Sequence, residues 1–321
     1  MVHAPRYRLL LAALTMGAAF TFSGTAHAAK TTADRVAVGA QYDTSHVYVA
    51  IDSVDRFVDS FIATFGGQST RQVVATVTPT PSSTTSQLVQ TPIGTVSVFG
   101  FKTPIPYPFG AERTGYLVND LDKALAEARH AGADVLVDAF PDPIGRDAII
   151  QWPGGVDMQL YWHTTPPAYA GFEHVPENRA YVSPDRATAF VHDFVAFSHG
   201  KAISDVSHAA GIEIGDPSTT FRRIRIESRF GKMVVFATSG HLAYPYGRET
   251  TGYEVSDLDA TLAKAQAASC KIIVPAFDDG DRTSAVVEFP GGYIAEIHAL
   301  KASARSRYSD AGQAPPVMLT R

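Results

Sequence analysis

The sequence predicts an α+β chain of four βαβββ modules in two tandem pairs, and three observations predict it. The first is a long internal repeat. "ERTGYLVNDLDKAL", from Glu112, returns as "ETTGYEVSDLDATL", from Glu249. Gly115 recurs at Gly252, 137 residues on, and the same offset links Pro108 with Pro245, Asp122 with Asp259, Phe140 with Phe277 and Pro153 with Pro290. It holds without a gap from Gly94 and Gly231 to the last strand, which marks two copies of one structural unit. The second observation is the order within each copy, where one strand pattern and one helix pattern precede three strand patterns. The third is that the segment before each copy follows the same order.

In the first copy "TGYLV" alternates and is rich in strand formers. "NDLDKALAEARHAGA" opens with an N-cap candidate, places Leu121, Leu125, Ala128 and Ala131 on one helical face, and ends at Gly132, a natural C-cap. "DVLVDAF", "DAIIQW" and "VDMQLYW" are three strands split by turn signals, with "PGG" the last turn. The second copy repeats the plan in "TGYEV", "SDLDATLAKAQAAS", "KIIVPAF", "SAVVEF" and "YIAEIHA". Upstream, "HVYVAI" predicts a strand, and "DSVDRFVDSFIATFGG" a helix with Val54, Phe57, Val58, Phe61 and Ile62 facing in. "RQVVATVTP", "TSQLVQTP" and "GTVSVFGF" predict three more strands. "RAYVS", the helix in "PDRATAFVHDFVAFSHG", and "KAISDVS", "TFRRIRIES" and "KMVVFAT" form the remaining module. The modules span residues 46–101, 107–163, 179–238 and 244–300. The first domain is thus 30–163, the linker 164–178 and the second domain 179–300. Residues 301–321 are expected to be a flexible tail.

Residues 1–29 are expected to be a secretory signal peptide. "MVHAPRYR" is a basic start, "LLLAALTMGAAFTF" an apolar stretch, and Ala26-His27-Ala28 an A-x-A cleavage site near Ala28 and Ala29. The apolar stretch falls short of the roughly 20 residues of a spanning helix, so no stable membrane insertion is expected after cleavage. The absence of a cysteine after it and of a paired Arg-Arg before it points to the general secretory route, and so to a periplasmic or secreted protein. Cys270 is the only cysteine, so no internal disulfide is expected, and its place at a helix end suits a small buried filler.

The chain has 321 residues, 45% hydrophobic and 18% charged, enough to build a sizeable core. A net charge of −5 with scattered basic residues gives no electrostatic footprint for nucleic acid. There is no H-E-x-x-H helix, G-x-S-x-G elbow, P-loop or G-x-G-x-x-G after a strand. One cysteine excludes cysteine-rich zinc and iron–sulfur sites.

"HVYVAIDSVDRFVDSF", the two "TGY-V-DLD" units and the two "PGG" turns before a closing strand resemble the vicinal oxygen chelate superfamily. That group includes glyoxalase I, extradiol dioxygenases, fosfomycin-resistance proteins and bleomycin-binding proteins. The resemblance covers almost all of the mature chain. It implies two tandem glyoxalase/dioxygenase-like domains, each a cupped mixed sheet around a cavity with helices outside. It also implies metal ligands on the first and last strands of a module.

Side chains two apart on a strand share a face, which orders the candidates. His46 and Tyr48 are expected to face the first cavity, His46 where the superfamily often places its first metal histidine. Arg113, Gly115 and Leu117 follow in the second module, with Arg113 where a dioxygenase-like protein would carry histidine. Gln159 falls on the superfamily's glutamate position, with Tyr161 and His163 on its face. In the second pair Arg179 and Tyr181 face in, as do Thr250, Gly252 and Glu254. Glu296 matches the superfamily's glutamate, with His298 beside it.

Neither half completes a His–His–Glu set, and firm divalent binding needs about three or four protein ligands. The implied metal candidates are therefore His46, Gln159, Glu296 and His298, for iron, manganese, zinc or nickel or for no ion at all; His241 lies on a loop of unassigned direction. His46 is read as a ligand or as a capped strand-start histidine, and His298 as a ligand or a packed one. Glu296 in a central strand needs a partner, a metal or an arginine such as Arg179. Glu112 and Glu249, turned from the cavity by parity, are expected to serve the turn.

Arg113 and Arg179 suit a carboxylate or phosphate, or a salt bridge. Tyr48, Tyr161 and Tyr181 suit an apolar or aromatic ligand body, or the core. Two functions stay open. One is a metal-dependent enzyme acting on a small oxygen-rich molecule; the other is a metal-free binding protein of the bleomycin-resistance type. The expected partner is a small molecule, and a homodimer is open.

Overall fold

The computed structural model describes residues 35–304. The expected signal peptide, and the expected tail beyond Ala304, lie outside the described residues. The first module comprises β1 (Thr44–Tyr48), α1 (Val54–Phe65), the short β2 (Gln68–Ser69) and β3 (Val73–Ala75), β4 (Thr84–Thr91) and β5 (Gly94–Phe101). The second comprises β6 (Thr114–Leu117), α2 (Leu121–His130), β7 (Asp134–Pro141), β8 (Gly145–Trp152) and β9 (Val156–His163). The third has β10 (Glu177–Val182), α3 (Pro184–Ser198), β11 (Lys201–Ala210), β12 (Thr220–Ser228) and β13 (Gly231–Ala237). The fourth has β14 (Thr250–Glu254), α4 (Leu258–Ala267), β15 (Lys271–Asp278), β16 (Arg282–Glu288) and β17 (Ile294–Leu300).

These strands make two curled mixed sheets. One runs β2-β4-β5-β1-β6-β9-β8-β7, with β3 also paired to β4; the other runs β11-β12-β13-β10-β14-β17-β16-β15. In each, first and last strands of a module pair in parallel, and the two first strands join the modules antiparallel. The α+β plan of four βαβββ modules is therefore what the chain adopts.

The helices cover the backs of the sheets, and their apolar faces meet across the two halves. α1 buries Val54, Phe57, Val58 and Phe61 in one core with Tyr253, Leu258, Leu262 and Phe289 of the fourth module. α2 buries Leu121, Ala124, Leu125 and Ala128 in a second core with Phe190, Phe194 and Phe197 of α3. Trp152 stands edge-on to Phe194 at 5.9 Å. Each core thus draws on both halves, and the described residues form one compact unit. Burying one such aromatic side chain contributes about 1.5–3 kcal/mol.

Local chemistry sets the helix limits. The Asp120 and Asp257 carboxylates accept from the backbone N–H of Lys123 and Ala260, capping α2 and α4 at matching positions of the repeat. Cys270 is buried beside Ser60 Oγ at 3.1 Å, and burial pushes its thiol up, so it is an inert filler. Lys301 to Ala304, assigned to the tail by sequence, instead pack onto the domain. Lys301 Nζ reaches Asp278 Oδ1 at 2.6 Å, and Ala304 is fully buried. Among the described residues no helix is long and apolar enough to cross a membrane.

Candidate functional site

The centre of each cup is a line of three register partners. In the first sheet Thr44 lies opposite Gly115, which lies opposite Gln159. In the second Glu177 lies opposite Gly252, which lies opposite Glu296. The glycine is required in both. A Cβ on Gly115 would stand 2.5 Å from His46 Nε2, and one on Gly252 would stand 2.7 Å from Glu296 Oε2. The glycine that the repeat preserves is the space in which the polar side chains lie.

The first cup holds a cavity of about 350 Å³, within the range of small-molecule sites. His46 and Gln159 line its floor, Phe99, Phe109 and Tyr161 its walls, and Arg71 its rim. His46 is 3% exposed, with Nδ1 3.4 Å from Glu112 Oε1, and the Tyr48 hydroxyl donates to the same carboxylate oxygen. A carboxylate accepts, so Nδ1 carries the imidazole proton and Nε2, over Gly115, keeps its lone pair. Burial and the nearby Glu112 charge push the Tyr48 phenol well up, so it stays a donor. The Tyr161 hydroxyl donates to the Tyr42 carbonyl, which leaves only its ring to a ligand.

Asp147 of β8 adds an acid. Burial, reinforced by Asp142, pushes its carboxyl well above the ordinary range, against a hydrogen bond from Gln159. His163 is half-buried, and burial lowers its pKa. The cavity thus joins a lone-pair imidazole nitrogen, a proton-holding carboxyl and an amide inside aromatic walls.

Two placements differ from strand parity. Arg113 does not line this cavity. It borders a smaller pocket of about 110 Å³ with Tyr48, Arg248, Glu249 and Tyr293. Glu112, assigned to the turn and away from the cavity, is fully buried against His46 and Tyr48. The residues before Thr114 lie outside β6, where alternation no longer sets side-chain direction. Glu249 lies beside Arg113. Burial pushes its carboxyl up to about 8 against the pull of Arg113, with Asp157 and Glu112 adding to the rise.

The second cup is filled. Ligand atoms of Glu177, Glu296 and His298 lie within 4.8 Å of one another, a spacing a metal ion could bridge. Arginines share that space. Arg282 Nη1 lies 2.8 Å from Glu177 Oε2 and 3.2 Å from His298 Nε2. Arg179 Nη1 lies 3.7 Å from Glu177 Oε2 and 3.6 Å from Glu296 Oε2, with its guanidinium 4.7 Å above the Phe236 ring. A guanidinium has no acceptor, so His298 Nε2 accepts from Arg282 while Nδ1 donates to Glu296 Oε2 at 2.8 Å.

The electrostatics follow this pairing. Burial alone would raise both glutamates; His298 and Arg179 instead hold Glu296 down at about 2, and Arg282 and His298 hold Glu177 well below its usual value. Tyr181 stacks on Phe236 at 4.9 Å. The void bordering Glu177, Arg225 and Arg282 measures about 20 Å³, room for about one water.

The implied metal can be tested against these donors. In the first cup the candidates His46 and Gln159 give one imidazole and one neutral amide, below the usual count of about three or four. In the second, Glu296 and His298 gain Glu177 as a third donor, but two cations already neutralise the two carboxylates. Neither set fits a resident ion as it stands. Glu177, Arg282, Asp147 and Glu112 were missed as site residues by sequence reading. The first two sit just ahead of the predicted strands "RAYVS" and "SAVVEF", and extending each strand by two residues reaches them in phase.

No family model and no curated protein matches the chain. Solved structures do. A variant of 4-hydroxymandelate synthase from Streptomyces coelicolor superposes with a TM-score of 0.55 at 12% identity, over 82% of this chain and 93% of that one. A fusion of a xylose isomerase-like TIM barrel with 4-hydroxyphenylpyruvate dioxygenase gives 0.52 at 12% identity, over 85% of this chain and 52% of the fusion. A Mn(II)-bound glyoxalase from Novosphingobium aromaticivorans gives 0.49 at 12% identity, over 83% of each chain. With its paired modules and cupped sheets, the chain has the fold of the vicinal oxygen chelate superfamily.

Proposed function

We propose that this is a glyoxalase/dioxygenase-like protein that binds a small oxygen-rich molecule in the first cup, through groups of its own chain. The observation that carries this reading is the 350 Å³ cavity with His46 held by Glu112 on its floor. Asp147 would donate a hydrogen bond to a ligand oxygen, and His46 Nε2 would accept a ligand hydroxyl. Gln159 offers both roles, while Phe99 and Tyr161 take the apolar body. His46 and Asp147 also line one cavity, where each can exchange a proton with a bound ligand. No step in this reading passes through a metal.

The test is a calorimetric and thermal-shift screen of small hydroxy-aromatics and 2-oxo acids against metal-stripped protein. The reading expects a ligand whose affinity falls about tenfold or more in His46→Ala and Asp147→Asn. It fails if binding needs added metal, or if ligands bind equally to both folded variants. Export belongs to the same reading and is supported by the leader-like first residues. N-terminal sequencing of the mature protein should begin near Ala29 or Lys30, and an intact Met1 on exported protein would overturn it.

A further inference from the structure

We infer that Arg179 and Arg282 are the resident cations of the donor set Glu177, Glu296 and His298, and that they hold closed a latent divalent-cation site. The geometry is specific. A divalent ion bound by carboxylate oxygen and imidazole nitrogen lies about 2.0–2.2 Å from each. The space between Glu177 Oε2 and His298 Nε2 is taken by Arg282 Nη1, at 2.8 and 3.2 Å. Arg179 approaches the other side of the same Glu177 oxygen and reaches Glu296 Oε2.

The charges balance, since Arg179, Arg225 and Arg282 face Glu177, Glu296 and Asp281, and His298 passes a hydrogen bond from Arg282 to Glu296. An added dication would leave the buried cluster with two excess positive charges, which a low-dielectric site disfavours strongly. The donors themselves remain suited to an ion. All three are nearly fully buried, and Glu296 Oε1 has no hydrogen-bond partner. Gly252 supplies the room beneath them.

The first half supports the assignment by contrast. At the repeat position of Arg282 it carries Gly145, and at the place of Arg179 it carries His46. The first cup is open where the second is filled. Removing the guanidiniums is therefore expected to convert a structural ion cluster into a site for zinc or manganese.

Equilibrium dialysis against Zn²⁺ and Mn²⁺ tests this, on wild type, Arg282→Ala and the pair Arg179→Ala/Arg282→Ala, each with and without Glu296→Gln. Circular dichroism reports folding. Wild type is expected to hold no ion that Glu296→Gln removes. The double variant is expected to bind about one ion, roughly tenfold or more tighter than wild type, and to lose it with Glu296→Gln. Arg282→Ala is expected to gain thermal stability from either Zn²⁺ or methylguanidinium, which compete for one hole.

A wild-type ion released by Glu296→Gln would overturn the inference. So would a folded double variant that binds no better than wild type. Where the arginine variants do not fold, the wild-type comparison decides alone: an ion lost with Glu296→Gln refutes the assignment, and its absence supports it.

Discussion

His46 and Arg179 stand at the same point of their modules, two residues beyond Thr44 and Glu177, which face Gly115 and Gly252. Around His46 the cup is open to about 350 Å³; Arg179 instead reaches Glu177 and Glu296 and lies over the Phe236 ring. The backbone is the same, and the glycine that admits side chains to the centre is kept in both. The side chains decide what the cup becomes. An amide, an imidazole and a bare backbone at Gln159, His46 and Gly145 leave a polar cavity. Glu296, Arg179 and Arg282 at the matching places close on one another as ion pairs. One scaffold occurs twice, and its side chains leave one copy an open polar cavity and make the other a buried electrostatic strut.

The largest effect should come from unbalancing the strut. Glu177→Ala removes the nearest carboxylate from buried Arg282 and is expected to cost about 3–5 kcal/mol in urea unfolding, whereas Gln159→Ala at the other end of the comparison should cost about 1 kcal/mol. Equal costs would mean that the two cups are built alike.

Acid separates them next. Glu296 titrates at about 2 when folded, below its unfolded value, so its contribution is present above about pH 4.5 and is lost as pH falls toward 2. That contribution is worth about 3 kcal/mol, and Glu296→Gln should flatten the slope of stability in this window. Asp147 and Glu249 have raised folded values, so each costs stability as pH climbs above the unfolded value; for Glu249 the decline runs up to about pH 8. Glu249→Gln should therefore raise the melting temperature at pH 8–9 and leave it unchanged near pH 4. A variant that melts lower at pH 9 would contradict the assignment.

The glycines test the shared scaffold. Gly115→Ala and Gly252→Ala each drive a Cβ into a functional side chain and should cost about 1–3 kcal/mol. Only Gly115→Ala should also weaken ligand binding, because only it displaces His46. Loss of binding in Gly252→Ala would blur the division between the cups.

The smallest effect concerns Glu112. Glu112→Gln keeps the shape but no longer holds the proton on Nδ1 as a carboxylate does. Ligand affinity should fall by about threefold to tenfold, and its pH profile should shift. An unchanged profile would reduce Glu112 to a packing role.

Much of this arrangement was legible in the sequence because the repeat fixes register. An offset of 137 aligned Gly115 with Gly252 and Gln159 with Glu296, and alternation placed His46, Tyr48 and Tyr161 on one face. The need of a buried Glu296 for a cationic partner pointed to Arg179, which lies beside it. Alternation fails where the chain leaves the ladder, so Arg113, just ahead of β6, borders a neighbouring pocket instead of the first cup, and Glu112 is buried against His46 and Tyr48. Strand ends set by apolar residues stopped short of Glu177 and Arg282, since charged residues at a strand start look like loop. "RQVVATVTP" promised a long strand, but only Val73–Ala75 pairs, and Val73 and Val74 stay exposed, Val73 at the cavity. Whether facing arginines and glutamates meet in a cluster or leave a cavity depends on side-chain length across three strands, which no single strand reveals.

The most direct test of the central claim is the stoichiometry and location of ligand binding. It is measured by titration calorimetry on wild type, on His46→Ala/Asp147→Asn, and on Tyr181→Ala in the second cup. One site per chain is expected, abolished by the first-cup pair and untouched by Tyr181→Ala. Two equivalent sites, or binding lost with Tyr181→Ala and kept without His46 and Asp147, would contradict it.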